Sequence, residues 1–97
     1  MPTYIVLGQF TDQGIKNVMD TTKRAEQLRE MGQSAGVAIK EVFWTIGHYD
    51  IATVVEAPDE ATLTALLLSV GKLGNVRTQT LRAFSASEMQ GILDRLQ

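Results

Sequence analysis

The sequence predicts an α+β domain: a four-stranded antiparallel sheet with two helices on one face and a short helix after the last strand. Three observations predict it. Four short β-branched or alternating apolar runs, at residues 4–10, 37–46, 51–57 and 75–84, have the length and period of strands. Two longer segments between them repeat apolar residues at three- and four-residue steps or are packed with leucine. Their order, β-α-β-β-α-β, is that of the split βαβ unit, the ferredoxin-like βαββαβ sandwich.

Each element has local reasons. Tyr4 to Phe10 is apolar, β-branched at Ile5 and Val6, and ends in "TDQG", where Thr11 or Asp12 is placed to cap a helix. From Ile15 to Met31 the residues Ile15, Val18, Met19, Ala25, Leu28 and Met31 mark one buried stripe, with Lys16, Lys23, Arg24, Glu26, Arg29 and Glu30 between them as solvated positions. Gly32 and Gly36 supply stop signals. Val37 to Ile46 and Ile51 to Ala57 read as strands joined by "GHYD". Pro58 then breaks the sheet ladder, and Asp59 caps the leucine-rich segment "EATLTALLLSVGKLG". After the fourth strand, Ser85 and Glu88 have capping-box spacing ahead of Met89, Ile92, Leu93 and Leu96.

Bulk composition excludes several classes of function. Ninety-seven residues, 44% hydrophobic and 21% charged, make one ordinary globular domain spanning residues 1–97. A net charge of −2 argues against nucleic acid and against an anionic membrane surface, because both need a clustered positive field. No cysteine is present, which removes disulfide and thiolate chemistry. The opening "MPTYIVLGQF" lacks a basic n-region, and the longest apolar run, "ALLLSV", is far below a membrane span, so a cytoplasmic location is expected. Neither a metal nor a cofactor is expected: the lone histidine, His48, has no second histidine and no cysteine to complete a zinc site.

Helices on one face leave the other face of the sheet to water, a partner or a ligand. Alternation groups Val42, Trp44 and Ile46 on one side of the second strand and Glu41, Phe43 and Thr45 on the other. Trp44 is expected in the core or at an interface. On the fourth strand, Thr78, Thr80, Arg82 and Phe84 alternate with Arg77, Gln79, Leu81 and Ala83. The mixed set Phe43, Thr45, Thr78, Thr80 and Arg82 is assigned to the face away from the helices. Such a face suits a subunit interface or a cavity with a few polar anchors, so a homo-oligomer, at least a dimer, is expected.

The segments "FTDQGIKN", "KRAE", "WTIGHYD", "EAPDEAT" and "GNVRTQTLRAFS" occur in this order through almost the whole chain. Together they resemble the GYD domain family, small bacterial and archaeal proteins named for a Gly-Tyr-Asp signature. Here His48 stands between Gly47 and Tyr49, so the histidine is not part of that signature. The resemblance implies a ferredoxin-like fold of the dimeric α/β-barrel kind and no established activity. The glycine, the Tyr-Asp that opens a strand, the "PD" before a helix and "GNVRTQT" also resemble the effector-binding domain of leucine-responsive regulators. Those domains bind small amino acids between subunits, which supports a sensor reading.

Gly47, Tyr49, Asp50, Thr78 and Arg82 are the candidate ligand-binding residues. All but Thr78 have a structural alternative. Gly47 is expected to permit a positive φ in the hairpin. Asp50 either accepts hydrogen bonds from turn amides or receives a ligand's ammonium or hydroxyl. Tyr49 is expected to pack its ring under the turn or at an interface and offer its hydroxyl to a neighbour. Arg77 and Arg82 either pair with an acid or bind an anion. The leading expectation is a small-molecule binding or regulatory module with pockets at subunit interfaces. One alternative is a cofactor-free enzyme, a monooxygenase or isomerase of the α/β-barrel type, with His48, Tyr49, Asp50 or Arg82 moving protons. The other is a purely structural assembly protein.

Overall fold

The computed structural model describes all 97 residues. Strand β1 (Thr3–Phe10) leads into a one-turn helix α1 (Asp12–Lys16), a 3-10 turn at Val18–Asp20, and helix α2 (Thr21–Ala35). Strands β2 (Ala38–Trp44) and β3 (Ile51–Glu56) follow, then α3 (Glu60–Gly71), β4 (Val76–Ala83) and α4 (Ala86–Leu93). The strands form one antiparallel sheet in the order β2-β3-β1-β4. This is the ferredoxin-like arrangement, with α2 and α3 lying together over one face.

Local signals start and stop these elements as expected. The Thr11 hydroxyl accepts from the Gly14 amide at 3.0 Å, and the Asp59 carboxylate accepts from the Thr62 amide at 2.7 Å. The Thr62 amide and side chain, and then the Ala61 amide, hold the Asp59 carboxyl below its ordinary range. Ser85 and Glu88 form a reciprocal capping box at the start of α4. Gly36 closes α2 in the left-handed conformation.

The first helical segment differs from the sequence expectation. The stripe from Ile15 to Met31 is not one helix, because the chain turns at Asn17 and resumes as α2 at Thr21. Ile15 and Met19 therefore leave the core and are exposed, Met19 by 92%. Gly32 lies inside α2 and is buried rather than ending it.

The core is small and sits at one end of the sheet. Tyr4, Val6, Val37, Val55, Ala57, Leu63 and Leu66 are buried together, with Leu28, Met31, Ile39, Leu67 and Val70 packed against them. Full burial of a side chain such as Leu63 or Leu66 stabilises by roughly 1.5–3 kcal/mol. The Tyr4 hydroxyl is buried in this cluster without a hydrogen-bond partner. Burial, and then the nearby Glu60 charge, push its phenol above the ordinary value.

Register decides which residues share a face, because directly paired residues of an antiparallel sheet point the same way. Tyr4, Val6 and Gly8 face the helices, and their β4 partners are Arg82, Thr80 and Thr78. The assignment of Thr78, Thr80 and Arg82 to the face away from the helices is therefore reversed. The β4 residues on the open face are Arg77, Gln79, Leu81 and Ala83, beside Ile5, Leu7 and Gln9 of β1. Phe43 stays on the open face, opposite Ala52, and Val42 and Trp44 face the helices, as expected.

Beyond the sheet, every residue from Phe84 to Gln97 is exposed. Helix α4 thus projects from the domain, which measures 51 × 31 × 18 Å.

Candidate functional site

The turn between β2 and β3 is tied to the end of β1. The Thr45 amide donates to the Asp50 carbonyl at 2.8 Å, and the Thr45 hydroxyl donates to the Tyr49 carbonyl at 2.7 Å. The Asp50 amide donates to the Gly8 carbonyl, and its carboxylate accepts from the Phe10 amide, both at 2.8 Å. The Gln9 side chain donates to the His48 carbonyl at 2.6 Å. Gly47 has φ +136°, a conformation that favours glycine, and a Cβ there would meet no atom within 4 Å. The glycine is needed for the backbone angle rather than for space. The Tyr49 hydroxyl donates to the Gln79 side chain, which carries the tyrosine toward the open face of β4.

Arg82 lies at the other end of the sheet, opposite Tyr4. Its guanidinium stacks 4.5 Å from the Phe84 ring centre and 5.6 Å from that of Tyr4. It donates to the carbonyls of Thr3 and Ala83 and pairs with Glu88 of α4 at 3.5 Å. The Ser85 amide, ahead of this partly exposed pair, holds the Glu88 carboxyl below its ordinary range. Thr78 is four residues from Arg82 along β4, about 13 Å at the usual strand rise. The structure therefore brings Gly47, Tyr49 and Asp50 together, sets Thr78 nearby on the helix side of β4, and places Arg82 far from all of them.

A cleft with a mostly apolar lining lies elsewhere. It measures about 310 Å³ and opens between α2, the end of α3 and the sheet, at the end of the sheet that carries the hairpin. Leu28, Met31, Val42, Ile51 and Val70 line it, which is why they are only partly buried although they lie between helix and sheet. Thr53, a polar side chain only 4% exposed, also lines the cleft. Its rim includes Trp44, whose indole nitrogen donates to the Thr21 hydroxyl at 2.9 Å, and Asn75. Trp44 is 43% exposed, so it lies outside the buried core and is only partly covered by α2.

Arg24 is the single charged residue lining this cleft. Sequence periodicity puts it among the solvated helix positions, but it is half-buried and donates to the Asn17 carbonyl at 3.0 Å and the Gly14 carbonyl at 3.5 Å. Its i, i+4, i+7 spacing with Leu28 and Met31 was the available signal, since those three share one helix face. No group of three histidine, cysteine or acidic side chains is arranged to hold a metal ion. No helix is long and apolar enough to cross a membrane.

A family profile, GYD domain, matches residues 4–93. The chain belongs to the GYD domain family. This GYD domain is 33% identical over 90 residues to the "Glutamine synthetase and cystathionine beta-lyase binding protein" of Thermus thermophilus, covering 92% of this chain and 95% of the relative. Two crystal structures share the fold. One is of FFRP-DM1, with a TM-score of 0.59 and 23% identity over 87% of this chain and all of the other. The second is of TTHA0845, also from Thermus thermophilus, with a TM-score of 0.55 and 24% identity over 89% of this chain and 96% of the other.

Proposed function

We propose that this GYD domain is a binding and regulatory module that works as a homo-oligomer and engages a protein partner through that assembly. The observation that carries the reading is the open sheet face. Ile5, Leu7, Ala52, Val54, Phe43 and Leu81 form a continuous apolar surface that no helix of the chain covers. Phe43 and Leu81 on it are 54% and 40% exposed. An apolar face of this kind, rimmed by Glu41, Arg77, Gln9 and Gln79, fits pairing with a second copy. The Tyr49–Gln79 contact sets the hairpin at the rim of the same face, so Gly47, Tyr49 and Asp50 would border the interface.

The name of the Thermus relative supports a protein partner. We extend to this chain the reading that it docks onto metabolic enzymes, with glutamine synthetase and cystathionine β-lyase as the first two to try. Light scattering on a sizing column tests the assembly. Wild type should elute as a dimer or larger, and a Phe43→Glu/Leu81→Glu variant should be a folded monomer. Surface plasmon resonance against the two enzymes tests the partner, and the monomeric variant should lose binding. A wild type that remains monomeric at high micromolar concentration removes the basis of this reading.

A further inference from the structure

We propose that the cleft between α2, α3 and the sheet is a binding site for a small amphipathic carboxylate, a molecule with one acid group and an unbranched or aromatic apolar body. The apolar body is called for by the lining. Leu28, Met31, Val42, Ile51 and Val70 surround an unfilled space of about 310 Å³, at the lower end of the range for ligand pockets. A smaller void of about 60 Å³, lined partly by the same residues, continues it toward the core. Well-packed interiors do not leave such gaps, since each unfilled surface forfeits dispersion contacts.

The acid group is called for by charge. Arg24 lines the cleft, no carboxylate does, and neither ion pair of the chain uses it. Of the five N–H donors of a guanidinium, its two hydrogen bonds to the carbonyls of Asn17 and Gly14 occupy two. Those carbonyls hold the group in place and leave its charge unneutralised. The two ends also have a fixed separation. Arg24 and Met31 are seven residues apart on one face of α2, about 10 Å along the helix, which is about the length of an eight-carbon chain. A cation would meet Arg24 in an otherwise uncharged, mostly apolar cleft, and a neutral molecule would leave that charge without a counter-charge.

Trp44 is the only tryptophan and stands at the rim, so its emission reports on the site directly. The experiment titrates the full chain with sodium octanoate, 1-octanol and octylammonium. Octanoate should shift Trp44 emission saturably and bind roughly tenfold or more tighter than 1-octanol, the ratio a charge-assisted hydrogen bond supplies. Octylammonium should bind most weakly. Arg24→Gln should bring octanoate and 1-octanol to parity, and Arg24→Lys should keep part of the preference. Arg24 also holds two main-chain carbonyls, so circular dichroism must show each variant folded. If Arg24→Gln unfolds, Ala25→Phe, which fills the cleft from α2, replaces it and should abolish binding of both probes.

Equal affinity of wild type for octanoate and 1-octanol overturns the acid class. An undiminished preference in folded Arg24→Gln overturns the role of Arg24. No saturable change with any probe, or unchanged binding in folded Ala25→Phe, overturns the site. None of these outcomes bears on pairing through the open sheet face, which lies on the other side of the sheet.

Discussion

Replacing Gly14 with alanine tests the junction that shapes the cleft mouth. A Cβ built on Gly14 falls 2.0 Å from the Asn75 carbonyl oxygen and 2.9 Å from its carbon. Both are backbone atoms, so no side-chain rotation relieves the clash, and α1 and the start of β4 must separate by more than about 1 Å to reach ordinary contact. The Asn75 carbonyl also accepts from the Thr11 amide at 3.0 Å, while the Thr11 hydroxyl donates to the Gly74 carbonyl at 2.6 Å. Overpacking costs about 1–3 kcal/mol, and loosening one such hydrogen bond about 1 kcal/mol. The better helix propensity of alanine returns about 1 kcal/mol. The net loss is about 1–3 kcal/mol, or a Tm lower by roughly 5–20 °C for a domain of this size. Thermal melts by circular dichroism measure it. Gly71→Ala in α3 is the control, because its Cβ meets nothing within 4 Å; it should melt at or above the wild-type temperature. If Gly14→Ala melts with Gly71→Ala, the close approach of α1 to Asn75 is not what holds this corner.

Two further outcomes follow from single sites. Gly47→Val should lose about 1–3 kcal/mol through backbone strain alone, since there is room for the side chain, whereas His48→Ala should leave the melt unchanged; parallel thermal melts separate the two. Tyr4 has its phenol raised by burial, so its contribution is complete below the unfolded value of about 10 and is lost as pH rises through the higher folded value. Alkaline titration followed by circular dichroism should therefore show Tyr4→Phe unfolding at higher pH than wild type, and coincident curves would contradict the buried phenol.

What the sequence determined by itself was local. Thr11, Asp59 and the Ser85–Glu88 pair cap helices through bonds that span three residues, and Gly47 adopts its positive φ within a single turn. The alternation of each strand was equally legible, and with it the β-α-β-β-α-β order. Tertiary structure decided everything that needed a partner from far along the chain. Alternation divides β4 into two sets but does not say which set meets the helices; only the pairing of Val6 with Thr80 does, and it sends Thr78 and Arg82 to the side opposite the one expected. The periodic stripe from Ile15 to Met31 reads as continuous, yet the approach of Gly14 to Asn75 and the turn at Asn17 divide it. The cleft is the extreme case. Its walls come from all four strands, α2 and the end of α3, and Arg24 becomes a half-buried charge without an acidic partner only when those elements close around it. Sequence periodicity encodes which way a side chain points on its own element, but a cavity is the volume left over when separate elements fail to fill the space between them.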